Sequence, residues 1–462
     1  MVYSAAMRWT LLFTFLICAS SAHAQDLVLK ATVIAPHKVL DSALVTVKGG
    51  RITGVTEGGA AAGAVTIDGV IFPGLIDLHN HLTWNVLPNW RPPRLFTNRY
   101  EWQETPDYAL RLSGPYGAMV AAGRSCDMNR FGEVKSLVNG GTVTVGGYGP
   151  SAADATRNRC ILGLARNVES AADLLPQPAL NAEPYRNFVF PFELDEADEK
   201  LIRAVDPDSA DPKVLHAAVV HLAEGTDSAA RREFRLFKAH RFIRKGVSVI
   251  HAVALAPEQI RELAQGGVGL VWSPHSNFIL YGKTADVLTA IDANMTVALA
   301  PDWSPSGSAG MIEEIGVAWR YNLGALNGAI KEAALVDMAT INPARLAKLD
   351  AQIGSIETGK LADLVVMKRR GTTAYQALLL GTPGDVLLVT VGGVPVYGDL
   401  PLMQHLLPRA SLEPIDVCGE PKALHVVDDP SSDQTWQRVR DRLAAVMNQL
   451  GIAPAALAAC GI

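Results

Sequence analysis

The sequence lacks the characteristic features of several classes of protein. Only 19% of its 462 residues are charged, the formal net charge is −5, and no long run of one charge occurs. Because a protein that binds nucleic acid usually presents a concentrated basic surface, this balance argues against a nucleic-acid partner. After residue 24 we find no apolar stretch of about 18 residues, the length that a membrane span requires. Repeats and low-complexity tracts are also missing, so the composition indicates an ordinary globular chain.

The N-terminus differs from the rest of the chain. Arg8 precedes the apolar run 11–18, and Ala22-His23-Ala24 has small residues at the positions that a signal peptidase requires. This pattern predicts a signal peptide over residues 1–24, with cleavage after Ala24 and export to the periplasm or the medium. The alternative, a membrane anchor, is less favoured because the apolar run is short, so we expect no membrane anchor in the mature chain.

Cysteine is scarce, with five residues in the whole chain. Removal of the signal peptide would leave an even number, which in an oxidising compartment permits two disulfides. Closeness along the chain favours Cys126 with Cys160 and Cys418 with Cys460. For the first pair, buried free thiols are a comparable alternative.

Two short β-rich segments flank a longer middle region. Apolar and polar residues alternate on both sides of Gly49-Gly50 and again on both sides of Gly392-Gly393, which predicts two hairpins. We therefore predict four parts: a signal peptide at 1–24, a composite β-sandwich domain from 25–72 and 350–410, an inserted domain at 73–349, and a C-terminal helical extension at 411–462.

The middle region alternates apolar strands with amphipathic helices, which predicts an α/β fold, a (β/α)8 TIM barrel, with its chemistry at the carboxyl ends of the strands. The eight strands read from the sequence are VIFPGLIDL, GTVTVGGYG, CILGLA, NFVFPF, VLHAAVVHL, VSVIHAV, VGLVWSPHS and VALAPDW. After the first strand, residues 83–130 form a long irregular insert that is rich in aromatic residues. We expect this insert to be a lid over the site, with helices packed on the barrel as the alternative.

Polar residues that can bind a metal ion recur at the ends of these strands. His79 and His81 lie two residues apart in PGLIDLHNHL, so both side chains leave the same face of a strand. Later strands add His221 with Glu224, then His251, His275 and Asp302. Buried histidine and aspartate must be paired, so their convergence from five strands predicts a metal site better than it predicts core packing.

The chemistry of these residues indicates their roles. His79, His81, His221 and Asp302 can hold one divalent ion and leave room for a water molecule, whose pKa the ion would lower to about 7. Asp302 and His251 can take the proton of this water. Glu224, three residues after a ligand, can give a proton to a leaving group.

The same segments resemble the amidohydrolase superfamily. The resemblance covers roughly residues 28 to 400 and includes PGLIDLHNH, HLAEG, SPHSN, the strand-eight Asp302 and MATINPARLAKLDAQIGSIETGKLADLVVM. HLAEG is similar to the branch that holds cytosine, guanine and adenosine-type deaminases and the triazine hydrolases. This branch implies one metal ion, usually zinc or iron, held by His79, His81, His221 and Asp302. It also implies Glu224 and His251 as the acid/base pair.

The sequence departs from this superfamily in two respects. Two-metal members usually have a carboxylated lysine near the end of strand four, where this chain offers Glu193 and no lysine before Lys200. Glu193 could bridge a second metal ion, but a solvated acidic loop is the favoured interpretation. An export signal is also unusual for a nucleobase deaminase. We expect substrate contacts from His275, Asn277 and Trp84.

We therefore predict an exported hydrolase with one divalent ion, zinc before iron, that cleaves a non-peptide C–N bond of a small molecule. The alternatives are a binuclear amide, lactam or dipeptide hydrolase, and a periplasmic binding protein on a decayed enzyme scaffold. Phosphate esters fit poorly because no cluster of Arg or Lys occurs at the strand ends. The oligomeric state stays open, and a homo-oligomer is compatible with the sequence.

Overall fold

The structure is a computed structural model that describes residues 26–147, 163–170, 185–188, 194–211 and 214–461. The predicted signal peptide, Cys160 and Glu193 lie outside these residues. Within the described ranges, no helix is both long enough and apolar enough to cross a membrane.

Seventeen strands occur in the part of the chain that the structure describes. In chain order they are β1 (Leu27–Ala35), β2 (Lys38–Lys48), β3 (Arg51–Thr56), β4 (Val65–Pro73), β5 (Leu75–Ile76), β6 (Gly141–Thr144), β7 (Arg166–Asn167), β8 (Tyr185–Phe188), β9 (Ala217–Leu222), β10 (Val247–His251), β11 (Gly269–Trp272), β12 (Val297–Leu299), β13 (Leu364–Lys368), β14 (Val386–Val391), β15 (Val394–Asp399), β16 (Glu413–Val417) and β17 (Glu420–Leu424).

The α-helices of the described residues are α1 (Arg99–Gln103), α2 (Pro106–Tyr108), α3 (Gly114–Ala121), α4 (Ser125–Val138), α5 (Glu196–Arg203), α6 (Ser228–Ala239), α7 (Pro257–Gln265), α8 (Pro274–Tyr281), α9 (Val287–Asp292), α10 (Met311–Gly324), α11 (Glu332–Asp337), α12 (Ile341–Leu346), α13 (Gln376–Leu379), α14 (Leu400–Leu406) and α15 (Trp436–Gln449). Short 3₁₀ turns lie at Leu82–Val86, Val168–Ser170, Pro383–Asp385 and Arg409–Ser411, and a π turn lies at Ala109–Ser113.

Strands from both ends of the chain form one nine-stranded sheet in the order β16-β17-β15-β14-β13-β4-β1-β2-β3. β4 pairs with β1 in parallel and with β13 in antiparallel orientation, which joins the N-terminal and C-terminal parts. This sheet confirms the predicted composite of the two ends. Both predicted hairpins also form, with φ of 55° and 80° at Gly49-Gly50 and of 56° and 76° at Gly392-Gly393. Glycine fits these tight turns because it adopts positive φ without steric cost.

The sheet extends further along the chain than we predicted. β16 and β17 pair as a hairpin, and β17 adds to the edge of β15. The segment after residue 411 is therefore helical only in part, over α15. Short strands such as β16 and β17 are easily overlooked in a sequence, because polar residues and Pro414 and Pro421 interrupt their alternation.

The inserted domain is the predicted barrel. Eight short parallel strands form the runs β5-β6-β7 and β8-β9-β10-β11-β12, and a parallel bridge between Asn80 and Asp302 joins the first strand's end to the last. α6, α7, α8 and α10 each follow a barrel strand. Branched and small side chains from successive strands fill the interior, as is typical of such barrels: Ile76, Val143, Val219, Ile250, Val271 and Ala300.

The bounds of the barrel strands differ from the predicted ones, most clearly at the first and third strands. VIFPGLIDL is divided at Gly74, with its first part in β4 of the large sheet and Leu75–Ile76 in the barrel. A Cβ at Gly74 would lie 2.2 Å from Oγ1 of Thr142, so the chain changes sheets where only glycine fits against β6. The third barrel strand is Arg166–Asn167, directly after the predicted CILGLA.

The insert after the first barrel strand is mainly helical, over α1 to α4, rather than irregular as predicted. Its aromatic residues pack together, with ring centroids of Trp102 and Tyr108 5.2 Å apart and those of Trp90 and Tyr108 6.0 Å apart. The C-terminal helix α15 covers this insert from outside, where Trp436 lies 5.5 Å from Phe131 between ring centroids.

The C-terminal tail is tied down at several points. A disulfide joins Cys418 to Cys460, with Cα atoms 5.2 Å apart, which confirms this predicted pairing. The backbone N–H of Ala455 donates to Val86 O at 2.8 Å, and Asn139 Nδ2 donates to Leu457 O at 2.8 Å. Cys126 is also disulfide-bonded, but its predicted partner Cys160 lies outside the described residues.

The tail disulfide should contribute measurably to stability. Cys418 and Cys460 are 42 residues apart. A disulfide that closes a loop of this length lowers the entropy of the unfolded chain, which stabilises the folded protein by about 2–4 kcal/mol. We predict that Cys460→Ser lowers the free energy of unfolding by this amount in denaturant titrations under non-reducing conditions. With reductant present, the variant and the wild type should unfold alike. Rapid alkylation of both thiols in the native protein would contradict the prediction.

Candidate active site

The predicted metal-binding residues meet at the carboxyl ends of the barrel strands. His79 and His81 follow β5, His221 lies in β9, His251 ends β10 and Asp302 follows β12. His79, His221, His251 and Asp302 are buried, and His81 is half-buried at the edge of the cluster. The barrel thus brings together residues that lie up to 223 positions apart in the chain.

The side-chain atoms of this cluster point at a common centre. His79 Nε2 lies 3.1 Å from His221 Nε2 and 3.2 Å from Oδ1 of Asp302. His81 Nε2 lies 3.5 Å from the same carboxylate oxygen. The ligand atoms of His79, His221 and His251 lie within 4.8 Å of one another, as do those of His79, His81 and Asp302. Three or four converging nitrogen donors and one carboxylate are the donor set of a divalent transition-metal ion, so the residues fit such an ion.

His251 belongs to this cluster more closely than the sequence indicated. From the sequence we expected it to take part in proton transfer only, whereas its ring centroid lies 4.9 Å from that of His79 and 5.4 Å from that of His221. The spacing of the strands along the chain does not predict this close approach, because the approach depends on how far the end of each strand extends towards the centre of the barrel.

Burial sets the charge of these groups. It lowers the pKa of His79 well below its ordinary value, and the neighbouring His221 and His251 lower it further. Burial also lowers the pKa of His251 and raises that of the Asp302 carboxyl well above its ordinary value. A lowered pKa favours the neutral imidazole at His79 and His251, which is the form that binds metal ions.

One segment orients three members of the cluster. After β11, Ser273 Oγ lies 3.0 Å from His79 Nδ1, Ser276 donates to Asp302 Oδ2 at 2.5 Å, and Asn277 Oδ1 lies 2.9 Å from His251 Nδ1. With Nδ1 engaged in this way, Nε2 of each ring is directed at the centre. Such outer partners fix the tautomer and orientation of ligands.

Two members of the cluster have an unfavourable backbone. φ is 66° at His251 and 68° at Asp302, in the left-handed region that residues other than glycine seldom adopt. Each residue lies where a barrel strand ends and the chain turns sharply. Conformations of this kind cost of order 1–3 kcal/mol and persist where the surrounding structure enforces them.

Glu224 lies beside the cluster, three residues after His221. Its Oε1 accepts a hydrogen bond from the Tyr281 hydroxyl at 2.7 Å, and its Oε2 lies 3.6 Å from His251 Nε2 and 3.7 Å from a guanidinium nitrogen of Arg99. Trp102 Nε1 donates to the Tyr281 oxygen at 2.8 Å.

Neither of these neighbours of Glu224 was predicted from the sequence. Tyr281 is four residues after Asn277 on α8, so helical spacing could have placed it on the face that meets the site. Arg99 comes from the insert, and no spacing rule relates it to a strand end.

A cavity of about 220 Å³ opens onto the cluster. Its lining combines His81, His221, Glu224, His251 and Asp302 with residues of the insert and the last barrel loop, namely Trp84, Arg99, Trp102, Gln103, Tyr108 and Trp303. The expected placement of the insert over the site therefore agrees with the structure, and Trp84 lies at the cavity as we expected.

The structure does not bring the other two expected substrate contacts to this cavity. Asn277 is fully buried and holds His251 through the hydrogen bond to its Nδ1. His275 Nδ1 lies 2.9 Å from Ser308 Oγ, and its backbone N–H donates to Glu314 at 3.2 Å. Helix α8 begins directly after Ser273, so successive residues of SPHSN point in different directions rather than alternating as in a strand.

The sequence was compared with those of known protein families. The profile of the amidohydrolase family matches residues 70–396, which is most of the chain. The chain belongs to the amidohydrolase family. The resemblance inferred from PGLIDLHNH and HLAEG is thus confirmed.

Two curated proteins illustrate the similarity. An imidazolonepropionase of Geobacillus sp. (strain WCH70) is 37% identical over 120 residues, which are 26% of this chain and 27% of that protein. The chain thus spans about a quarter of the length of that imidazolonepropionase. A 5-methylthioadenosine/S-adenosylhomocysteine deaminase of Symbiobacterium thermophilum is 26% identical over 415 residues, or 78% of this chain and 90% of that protein.

Solved structures show the same fold. An adenosine deaminase from Xanthomonas campestris with bound zinc superposes with a TM-score of 0.62 at 18% identity, over 92% of this chain and 98% of that one. Atrazine chlorohydrolase from Arthrobacter aurescens, complexed with zinc, superposes with a TM-score of 0.60 at 17% identity, over 80% and 95% of the two chains.

The convergence of ligand atoms predicts that metal retention depends on His221. We expect His221→Ala to lose most bound divalent metal after purification without chelator, because it removes a nitrogen at the centre of the cluster. His405→Ala, which alters an exposed histidine on α14, should keep the wild-type content. Elemental analysis of both variants decides the matter, and an unchanged metal content in His221→Ala would refute this site.

Proposed function

We propose that this protein is a metal-dependent hydrolase of a non-peptide C–N bond in a small molecule. The observation that carries the proposal is the position of Glu224, a carboxylate fixed by Tyr281 beside a converging set of imidazoles and Asp302. A binding protein would need neither the cluster nor an acid aimed at the same cavity. Membership of the amidohydrolase family and the overall similarity to a deaminase support this assignment.

We further propose one zinc ion as the resident metal, held by His79, His81, His221 and Asp302 with His251 close by. When bound, such an ion lowers the pKa of a coordinated water to about 7 and so supplies a nucleophile at neutral pH. The two groups of ligand atoms share His79, which supports a single centre. Elemental analysis should accordingly return a ratio near one ion per chain for the wild type.

The chain's own residues supply the proton transfers. Asp302 lies at the centre, where it can take a proton from the attacking water, and Ser276 holds its second oxygen so that the first faces inward. Glu224 is held on the cavity side, where it can give a proton to the nitrogen that leaves as ammonia or an amine. His251, fixed by Asn277, presents Nε2 to both the centre and Glu224 and can polarise the substrate.

The surroundings favour a flat substrate. Trp84, Trp102, Tyr108 and Trp303 line the cavity, and Trp84 stacks on Tyr116 with ring centroids 3.9 Å apart and planes 5° apart. Aromatic walls exclude bulk water and pack well against unsaturated rings. Amino-heterocycles, cyclic amides and cyclic ureas have this shape and contain the required C–N bond.

We also propose that the protein acts outside the cytoplasm, as the sequence of residues 1–24 predicts. The disulfide between Cys418 and Cys460 supports this location, because structural disulfides persist in oxidising compartments.

The reaction itself is tested by a substrate screen. We expect the zinc-loaded protein to release ammonia or an amine from at least one amino-heterocycle, cyclic amide or cyclic urea, detected by a coupled ammonia assay and mass spectrometry. His221→Ala should be inactive on the same compound. Efficient cleavage of phosphotriesters or carboxylesters, with no turnover of any C–N compound, would overturn the proposal.

The role of Glu224 makes a sharper prediction. Glu224→Gln keeps the shape of the side chain and removes its proton, so kcat should fall about 10²- to 10⁴-fold while the metal content stays unchanged. Glu258→Gln, on the exposed side of α7 with its side chain 81% exposed, is the matched control and should retain wild-type kcat. A loss smaller than about tenfold in Glu224→Gln would show that Glu224 is not the general acid.

A further inference from the structure

Helix α4 carries a buried lysine that none of the proposed proton transfers uses. Lys135 has 1% of its surface exposed, and it is not among the described residues that line the cavity. Its amine donates to Ser304 Oγ at 2.8 Å and to Asn85 O at 3.3 Å, and both acceptors are uncharged. Lysine is seldom buried in this way, because its amine loses its hydration. The contacts of Lys135 therefore require an explanation.

The two acceptors of this amine belong to different segments of the candidate active site. Asn85 lies in the 3₁₀ turn after the first barrel strand, four residues after His81. Ser304 lies in the loop after β12, two residues after Asp302. The amine of Lys135 thus joins the segment that carries the first metal-binding residues to the segment that carries the last.

Further hydrogen bonds extend this connection to the first strand itself. The backbone N–H of Ser304 donates to Asn85 Oδ1 at 2.8 Å, and Asn85 Nδ2 donates to Asn80 Oδ1 at 2.8 Å. Asn80 Nδ2 in turn donates to Asp77 Oδ2 at 2.5 Å, and Asp77 Oδ1 accepts the backbone N–H of His79 at 3.0 Å. A continuous buried network therefore runs from the metal-binding end of the first strand to the amine on α4.

Close packing of α4 explains how the lysine reaches both segments. A Cβ at Gly132 would lie 2.4 Å from Leu82 O and 2.7 Å from Leu82 Cγ, so only glycine fits where the helix meets the turn. Residues three apart share one face of a helix. Lys135 consequently faces the same turn as Gly132, and its side chain spans the short remaining distance to Asn85 and Ser304.

The two hydrogen bonds do not require a charged amine. Burial lowers the pKa of Lys135 to about 7, and the carboxylate of Glu313 opposes this shift. Both the neutral amine and the ammonium have enough N–H groups to donate to two oxygens. The argument for Lys135 thus rests on the position of its acceptors and not on its charge.

We propose that Lys135 is a positioning residue that holds the end of the first barrel strand against the loop after the last, and that it thereby slows loss of the metal ion. His79 and His81 follow the first strand and Asp302 follows the last, so the separation of these segments sets the separation of the ligands. The effect on the ion rests on the proposed function, whereas the effect on the two segments does not.

The rate of zinc release to an excess of a chromophoric chelator, measured on the zinc-loaded full chain, tests the effect on the ion. Lys135→Met keeps the length of the side chain and removes its donors. This variant should release zinc about 10- to 100-fold faster than the wild type, the usual effect of losing a partner outside the ligand set.

A second buried lysine provides the matched control. Lys422 in β17 of the large sheet also has 1% of its surface exposed. Its amine donates to two backbone oxygens and to Asp399. Lys422→Met therefore also loses buried hydrogen bonds, but it should release zinc at the wild-type rate because Lys422 has no contact with the network.

Amide hydrogen exchange tests the two segments in metal-free protein. Peptides that span residues 79–86 and 302–306 should exchange at least about tenfold faster in Lys135→Met, because the bond from the Ser304 N–H to Asn85 joins these segments. In the control variant the same peptides should exchange as in the wild type.

Ser304→Ala keeps the proposal testable where Lys135→Met does not fold, since it removes one acceptor without a change of charge. It should accelerate zinc release in the same direction, and in the double variant the two effects should not add. Wild-type rates of release and exchange in both single variants, or equal acceleration in Lys422→Met, would overturn the proposal.

These outcomes are distinct from those of the proposed function. If the protein binds no zinc, the proposed function fails, and amide exchange alone decides whether Lys135 positions the two segments. If zinc is bound and C–N compounds are hydrolysed, but Lys135→Met keeps the wild-type rates of zinc release and exchange, the inference fails alone.

Discussion

The structure depends on the close approach of imidazole nitrogens and one carboxylate at the mouth of the barrel. His79 Nε2 lies 3.1 Å from His221 Nε2 and 3.2 Å from Asp302 Oδ1. Neutral imidazole nitrogens at this distance attract each other weakly, whereas a metal ion bound between them would stabilise their close approach. The left-handed backbone at His251 and Asp302 is explained by the same requirement. The barrel strands must end abruptly for these side chains to meet.

Rigidity around this centre comes from three separate parts of the chain. The segment Ser273–Asn277 supplies hydrogen bonds to His79, Asp302 and His251 from the barrel side. Backbone hydrogen bonds join the insert to the loop that carries Glu224. The C-terminal tail, closed by its disulfide, donates to Val86 O in the turn that carries Trp84. Elements distant in the sequence therefore share in holding the cavity wall, which couples the stability of the tail to the shape of the site.

The sequence predicted those features that follow a regular period. Alternating strands with histidine at their ends predicted the barrel and its cluster, and the paired glycines at 49-50 and 392-393 predicted hairpins that form. Features that depend on close approach in space were missed or misplaced. Gly74 divides one apolar run between two sheets because Thr142 lies against it, and Asn277 lies behind His251 rather than at the cavity. Neither relation leaves a periodic trace in the chain.

Membership of the family indicates which reaction the protein catalyses more closely than it indicates which substrate the protein binds. The groups proposed to act on the scissile bond come from strand ends, whose positions the barrel fixes. The groups that line the rest of the cavity come largely from the insert, through Trp84, Arg99, Trp102 and Tyr108. A barrel tolerates wide variation in such loops because they add little to its core. Selectivity can therefore change while the cluster stays in place. Gly225 follows Glu224 and forms a bridge with Asn98 of the insert. A Cβ at Gly225 would lie 2.4 Å from Thr97 O, so this glycine is where the barrel loop and the insert constrain each other.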